Sequence, residues 1–317
     1  MDDSLALKLD GVTREFGRGS KKSVALESID LQVALGEVVA VLGPNGAGKT
    51  TTVKIAATLL EPSAGSVRVA GIDAVKFPRQ ARAKLGMVLG GDRGFYLRAT
   101  ALENLRFFAT LAGVSGRTTD KRISAVIEEV GLAGRERDRV ETYSRGMKQR
   151  LHIARALLGE PALLLLDEPS IGLDPEGARD LRGLVRALRD AGCGVLLTTH
   201  YLDEADELAD ELVVINRGAV VARGLAADIA QLGDVDSVLT FETSELIDVE
   251  ERLRAHPRVV EVLSREVRGA HTVEVIMHEL VEPQAMLAEV GVVPEWVTVR
   301  PVSLQEAYLA FIAKDRR

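Results

Sequence analysis

The stretch that most constrains the fold is Gly43-Pro44-Asn45-Gly46-Ala47-Gly48-Lys49-Thr50. It follows the apolar run at 38–42 and precedes a predicted helix over 51–60. A G-x-x-x-x-G-K-[ST] loop carries meaning only between a strand and a helix, and both flanks are present. Gly43, Gly46 and Gly48 let the backbone turn tightly, so that its N–H groups point at phosphate oxygens. The helix start adds a field that favours anions. Pro44, Asn45, Ala47 and Thr51 complete the expected nucleotide-binding set. Lys49 is expected to reach the β- and γ-phosphates, and the Thr50 hydroxyl to ligate Mg2+.

Two further apolar runs, at 163–166 and 195–199, suit strands buried on both faces of a parallel sheet. With intervening helices such as 177–189, they predict an α/β P-loop NTPase fold over residues 1–228. Residues 92–155 show no central-strand pattern and are expected to form a helical subdomain, with helices at 102–112, at 119–131 and from about Ser144. Over 236–317 the order changes to β-α-β-β-α-β, predicting a small ferredoxin-like α+β domain. Ser303 and Glu306 have capping-box spacing for a last helix over 304–314.

The run 163–166 ends in Asp167-Glu168-Pro169. Ligands of α/β sheets bind at the carboxyl ends of strands. Asp167 is therefore expected to hold Mg2+, and Glu168, one step farther, to act as general base on the attacking water. Tyr143-Ser144-Arg145-Gly146-Met147-Lys148-Gln149-Arg150 reads as the polar start of a helix between the two motifs.

Taken in order, the phosphate loop, Ser144-Arg145-Gly146-Met147, Asp167-Glu168-Pro169, Gly172-Leu173-Asp174-Pro175 and Thr199-His200 resemble the ATP-binding-cassette (ABC) ATPases. The chain looks closest to the ATPase subunits of bacterial drug and antibiotic exporters of the daunorubicin-resistance type. The Tyr-Ser-x-Gly-Met-x-Gln-Arg form and the C-terminal Pro301-Val302-Ser303-Leu304-Gln305-Glu306-Ala307-Tyr308 carry that narrower likeness. It implies a dimer sandwiching two ATP molecules. Ser144, Arg145, Gly146 and Met147 would face the nucleotide held by the other subunit, with Asp174 at the interface. His200 would sense the γ-phosphate, and Phe16 would stack on adenine.

One element departs from the family pattern. Alignment puts Gly90 where a Gln usually contacts Mg2+ and water, with Gly91 and Asp92 beside it. Asp92, or a water, is expected to substitute.

A net charge of −7 and a pI near 5.5 argue against a nucleic-acid partner. Cys193 is the only cysteine, which excludes an internal disulfide, and it is expected in the core. The acidic N-terminus lacks a secretion-signal pattern, and no apolar run approaches about 18 residues. The chain is thus expected to be soluble and peripheral at the cytoplasmic face of the cell membrane, partnered by separate integral-membrane permease subunits. An importer ATPase, a soluble cassette ATPase and a non-catalytic nucleotide sensor are the competing readings. The α+β C-terminus favours the exporter over the importer, and Glu168 with His200 speaks against the sensor.

Overall fold

The computed structural model describes residues 4–17, 22–89, 94–114, 116–225, 228–229, 235–243, 246–267, 270–278, 282–294, 296–303, 305–308 and 310. The chain divides into two compact units, Met1–Val221 and Ala222–Arg317.

In the first unit, β1 (Leu5–Phe16), β2 (Ser23–Ala34), β4 (Ala64–Val69) and β5 (Ile72–Asp73) form a sheet in the order β2-β1-β4-β5, with antiparallel pairs. A second sheet runs β10-β9-β3-β8-β7-β6. Its strands are β3 (Val38–Leu42), β6 (Leu85–Val88), β7 (Leu163–Asp167), β8 (Gly194–Thr198), β9 (Glu211–Asn216) and β10 (Ala219–Gly224). β3, β7 and β8 are buried at every position, which is why they read as unbroken apolar runs. Leu7, Leu9, Leu26 and Leu31 of the antiparallel sheet pack in one core with Val39, Val53, Ile55, Leu165 and Leu196. That core clamps helix α1 (Lys49–Ala56) between the two sheets.

α2 (Pro78–Arg82) leads into β6. The helical insertion contains α3 (Ala101–Leu111), α4 (Thr119–Glu129) and α5 (Arg145–Leu157). α3 opens on a reciprocal Thr100–Glu103 capping box. α6 (Pro175–Asp190) and α7 (Leu202–Leu208) flank β8 in sequence. Cys193 is half-buried at the start of β8 instead of in the core, because its Sγ points to Pro161 O. Burial still pushes its thiol up to about 11.

The second unit holds β11 (Ser237–Thr243), α8 (Leu246–Ala255), β12 (Val259–Val267), β13 (Ala270–Met277), α9 (Pro283–Glu289) and β14 (Val297–Pro301). The strands are antiparallel in the order β12-β13-β11-β14, the ferredoxin-like arrangement. One core joins Phe241, Val273 and Val275 to Leu253 and Leu287 of the helices. A second joins Val238 and Ile276 to Ala307 and Ala310. Ser303 N donates to Glu306 Oε2 at 2.8 Å, and Glu306 N to Ser303 Oγ at 3.3 Å, so a capping box opens the last helical segment. Residues 304, 309 and 311–314 of that segment lie outside the described residues.

Candidate active site

Strand order assembles the site. β8 lies between β3 and β7, and Thr198 is in register with both Val41 and Asp167. The carboxyl ends of these three parallel strands therefore bring residues 43–50, 167–168 and 198–200 together.

The loop after β3 turns directly into α1. Gly48 caps the helix at φ 115°, and a methyl group there would meet Leu26 Cδ2 at 2.6 Å and Ala25 O at 2.9 Å. The first turn of α1 contains no acidic residue, so the positive end of its dipole is uncompensated. Lys49 is only 6% exposed. Its Nζ donates to Gly43 O at 2.7 Å and to Pro44 O at 3.3 Å, and stands 4.0 Å from Glu168 Oε1. A buried ammonium needs oxygen partners, and here loop carbonyls supply them.

Across the loop, Thr50 Oγ1 lies 3.5 Å from Asp167 Oδ1. Thr198 Oγ1 donates to that same carboxylate oxygen at 2.5 Å. Hard oxygen donors so close together match what Mg2+ takes from a protein. Glu168 adopts φ 53°, a left-handed conformation costing on the order of 1–3 kcal/mol for a side chain of this kind. Its N–H donates to Thr198 O at 3.0 Å and Thr198 Oγ1 at 3.2 Å, which holds it there. His200 Nδ1 contacts Glu168 Oε2, and its ring lies 4.0 Å from that of Tyr201.

Ser144 caps α5, its Oγ accepting from Met147 N at 3.2 Å, and it remains exposed. Asp174 caps α6 by accepting from Gly177 N at 2.8 Å. The two helix starts meet without side chains: a methyl on Gly146 would stand 3.9 Å from Gly177 Cα. The Arg145 guanidinium lies over Gly172, in space a methyl there would fill. Phe16 ends β1 with 42% of its surface exposed and the Arg14 guanidinium 4.6 Å from its ring centre.

The structure thus brings together Lys49, Thr50, Asp167, Glu168 and His200. Among the described residues, no hydrogen bond or ion pair joins Phe16, Ser144, Arg145, Met147 or Asp174 to that cluster. Gly90, Gly91 and Asp92 lie outside the described residues. Sequence reasoning missed Thr198. The signal was a hydroxyl closing an apolar strand, and that hydroxyl is fully buried.

A phosphate-binding loop facing an acidic strand end defines a P-loop nucleotide site. A family model described as ABC transporter matches residues 26–171. The daunorubicin resistance ATP-binding protein DrrA3 of Streptomyces coeruleorubidus is 36% identical over 330 residues, covering 98% of this chain and 97% of that one. The doxorubicin resistance ATP-binding protein DrrA of Mycobacterium tuberculosis is 40% identical over 228 residues, covering 72% and 68%. Among solved structures, an ATP binding subunit of an ABC transporter matches with a TM-score of 0.62 at 32% identity, over 71% of this chain and 92% of that one. A dimeric ATP-binding cassette in a post-hydrolysis state, bound to ADP and Pi, matches with a TM-score of 0.61 at 27% identity, over 69% and 98%. The chain belongs to the ATP-binding subunits of ABC transporters, a family of ATPases.

Proposed function

We propose that this chain powers efflux of a drug, antibiotic or other small molecule or lipid through separate integral-membrane permease subunits. The observation that carries the catalytic part is the Glu168–His200 contact at the mouth of the phosphate loop, beside Lys49. The likeness of the whole chain to a daunorubicin resistance ATP-binding protein supports the exporter assignment.

In this reading Lys49 exchanges its loop carbonyls for the β- and γ-phosphates of ATP. Thr50 and Asp167 would hold Mg2+, which would neutralise phosphate charge. Glu168 accepts the proton of the attacking water, and His200 orients that carboxylate and monitors the γ-phosphate. Phe16 offers its exposed face to adenine. Ser144, Arg145, Gly146 and Met147 complete the site of a second subunit, and Asp174 lies at the interface between the two. The helix end capped by Ser144 has no acidic residue in its first turn, which suits a phosphate.

No described helix is long and apolar enough to cross a membrane. The protein in this reading is peripheral at the cytoplasmic face and takes no nucleic acid. Tyr96, Leu97, Phe107 and Leu111 expose apolar surface on the helical insertion, with Tyr96 and Phe107 in edge-to-face contact at 5.5 Å. That surface is where the permease would dock.

Three measurements test the reading. ATP turnover should fall roughly 100-fold or more in Glu168→Gln, while a nucleotide-stabilised dimer accumulates. A strictly monomeric preparation should bind ATP and hydrolyse it poorly. A membrane protein should co-purify with the chain. Full turnover by Glu168→Gln, or by the monomer, would refute it.

A further inference from the structure

Glu204, in the first turn of α7, is 3% exposed, unlike the acidic residues around it at 203, 206 and 207. Ser170 Oγ donates to its Oε2 at 2.9 Å, and Ser170 is itself 7% exposed. Glu204 Oε1 is sealed from solvent and accepts no hydrogen bond of good geometry among the described residues. Burial raises the carboxyl's pKa. The Thr199 and Ser170 hydroxyls and the nearby charge of Arg182 oppose the rise, and the neighbouring Glu168 adds to it. A carboxyl group kept out of water beside another carboxylate, without a bonded cation, calls for an explanation beyond solubility.

Its position supplies one. Ser170 lies two residues after Glu168 in a tight turn, where Ile171 N donates to Glu168 O at 3.3 Å and Leu173 N to Ser170 O at 3.0 Å. Glu204 lies four residues after His200, and Thr199 Oγ1 accepts from Tyr201 N at 3.0 Å at the start of the same segment. The Ser170–Glu204 bond therefore links the segment that follows β7 to the one that follows β8, beyond the link Thr198 already makes.

We propose that Glu204 is a positioning residue for hydrolysis: through Ser170 it fixes the turn bearing Glu168 to the helix that follows His200, so that the two side chains meet the nucleotide as one unit. This rests on the roles given above to Glu168 and His200. Glu204 touches neither substrate nor the reacting water. Its effect is geometric, and a small displacement of a general base is costly to rate while leaving nucleotide affinity, which the phosphate loop supplies, in place.

The test is steady-state ATP hydrolysis by the full chain carrying Ser170→Ala, Glu204→Ala, Glu204→Gln or the double alanine change, with thermal unfolding and nucleotide binding measured alongside. Each alanine change should lower kcat roughly 10- to 100-fold, with KM for ATP within about twofold of the parent. The double variant should be no slower than the worse single one, because both remove the same bond. Glu204→Gln keeps an acceptor for Ser170 Oγ and should recover most of the rate. Parent-like kcat in Ser170→Ala, or losses that multiply in the double variant, would overturn the proposal. Should Glu204→Ala not fold, Ser170→Ala and Glu204→Gln decide it. Glu168→Gln run in parallel separates the failures: unimpaired turnover there refutes the assignment of the site, and this proposal with it. Lost turnover there beside unaffected Ser170 and Glu204 variants refutes this proposal alone.

Discussion

The Thr198 hydroxyl bonds two neighbouring groups at the end of β7 at once: it donates to Asp167 Oδ1 and accepts from Glu168 N. One buried oxygen thus sets both the carboxylate proposed for Mg2+ and the backbone of the proposed general base. Thr198→Val keeps the shape and removes both bonds. It should cost about 1–3 kcal/mol of stability and raise the Mg2+ concentration needed for half-maximal hydrolysis. Thr198→Ser should behave like the parent. Thermal unfolding and an Mg2+ titration of ATPase rate check this, and a parent-like Thr198→Val would show that the hydroxyl does not order the site.

Gly48 is where the antiparallel sheet touches the phosphate loop. Any side chain there carries the strain of φ 115° and collides with Leu26 and the Ala25 carbonyl. Gly48→Ala should lose about 2–5 kcal/mol and lose the extra thermal stability conferred by ATP. Unfolding curves with and without nucleotide measure both, and an undiminished ATP-induced shift would contradict the loop geometry.

The Phe16 ring has one face near Arg14 and much of its surface open. Base–aromatic stacking is worth about 1–3 kcal/mol per base by alanine substitution. Phe16→Ala should therefore weaken nucleotide binding by roughly 5- to 150-fold, and Phe16→Trp should preserve it. Because stacking reads only a flat face, ATP and GTP should lose alike. A fluorescent-nucleotide titration giving equal affinities for parent and Phe16→Ala would exclude the ring from the site.

Burial alone would raise the Glu306 carboxyl. Bonds from Arg300 and from the Ser303 N–H and hydroxyl outweigh it and hold the value at about 2. A pKa depressed on folding stabilises the fold above the unfolded value of about 4.3 and loses that contribution as pH falls toward 2. Glu306→Gln should therefore be less stable than the parent at pH 6, with the gap closing between about pH 5 and 2. Trp296, the single tryptophan, reports on the unit that holds this group. Urea unfolding followed by its fluorescence should show the convergence, and a pH-independent gap would exclude the ionised pair.

Legibility in the sequence followed burial. β3, β7 and β8 could be read because strands covered on both faces leave uninterrupted apolar runs, and their carboxyl ends located most of the candidate site. The antiparallel sheet went unread. Its 12-residue strands break alternation at bulges, where Gly11 and Ser28 take positive φ and the register shifts between Leu9 and Val12. Glu204 was hidden for a different reason. In the acid-rich run 203–207 every charge has the pattern of a solvated helix face, and only packing shows which carboxyl is interior.

The meeting of Gly146 and Gly177 has a mechanical consequence. Helices whose side chains interdigitate resist turning past one another, because ridges must climb out of grooves. Where α5 and α6 begin, a methyl added to either glycine would stand 3.9 or 4.0 Å from the other's Cα, so two bare glycine backbones face one another there. The contact is a smooth bearing beside a tether: the two glycines leave the helix starts without a ridge to climb, while the Arg150–Asp180 pair at 3.2 Å joins the same helices farther along.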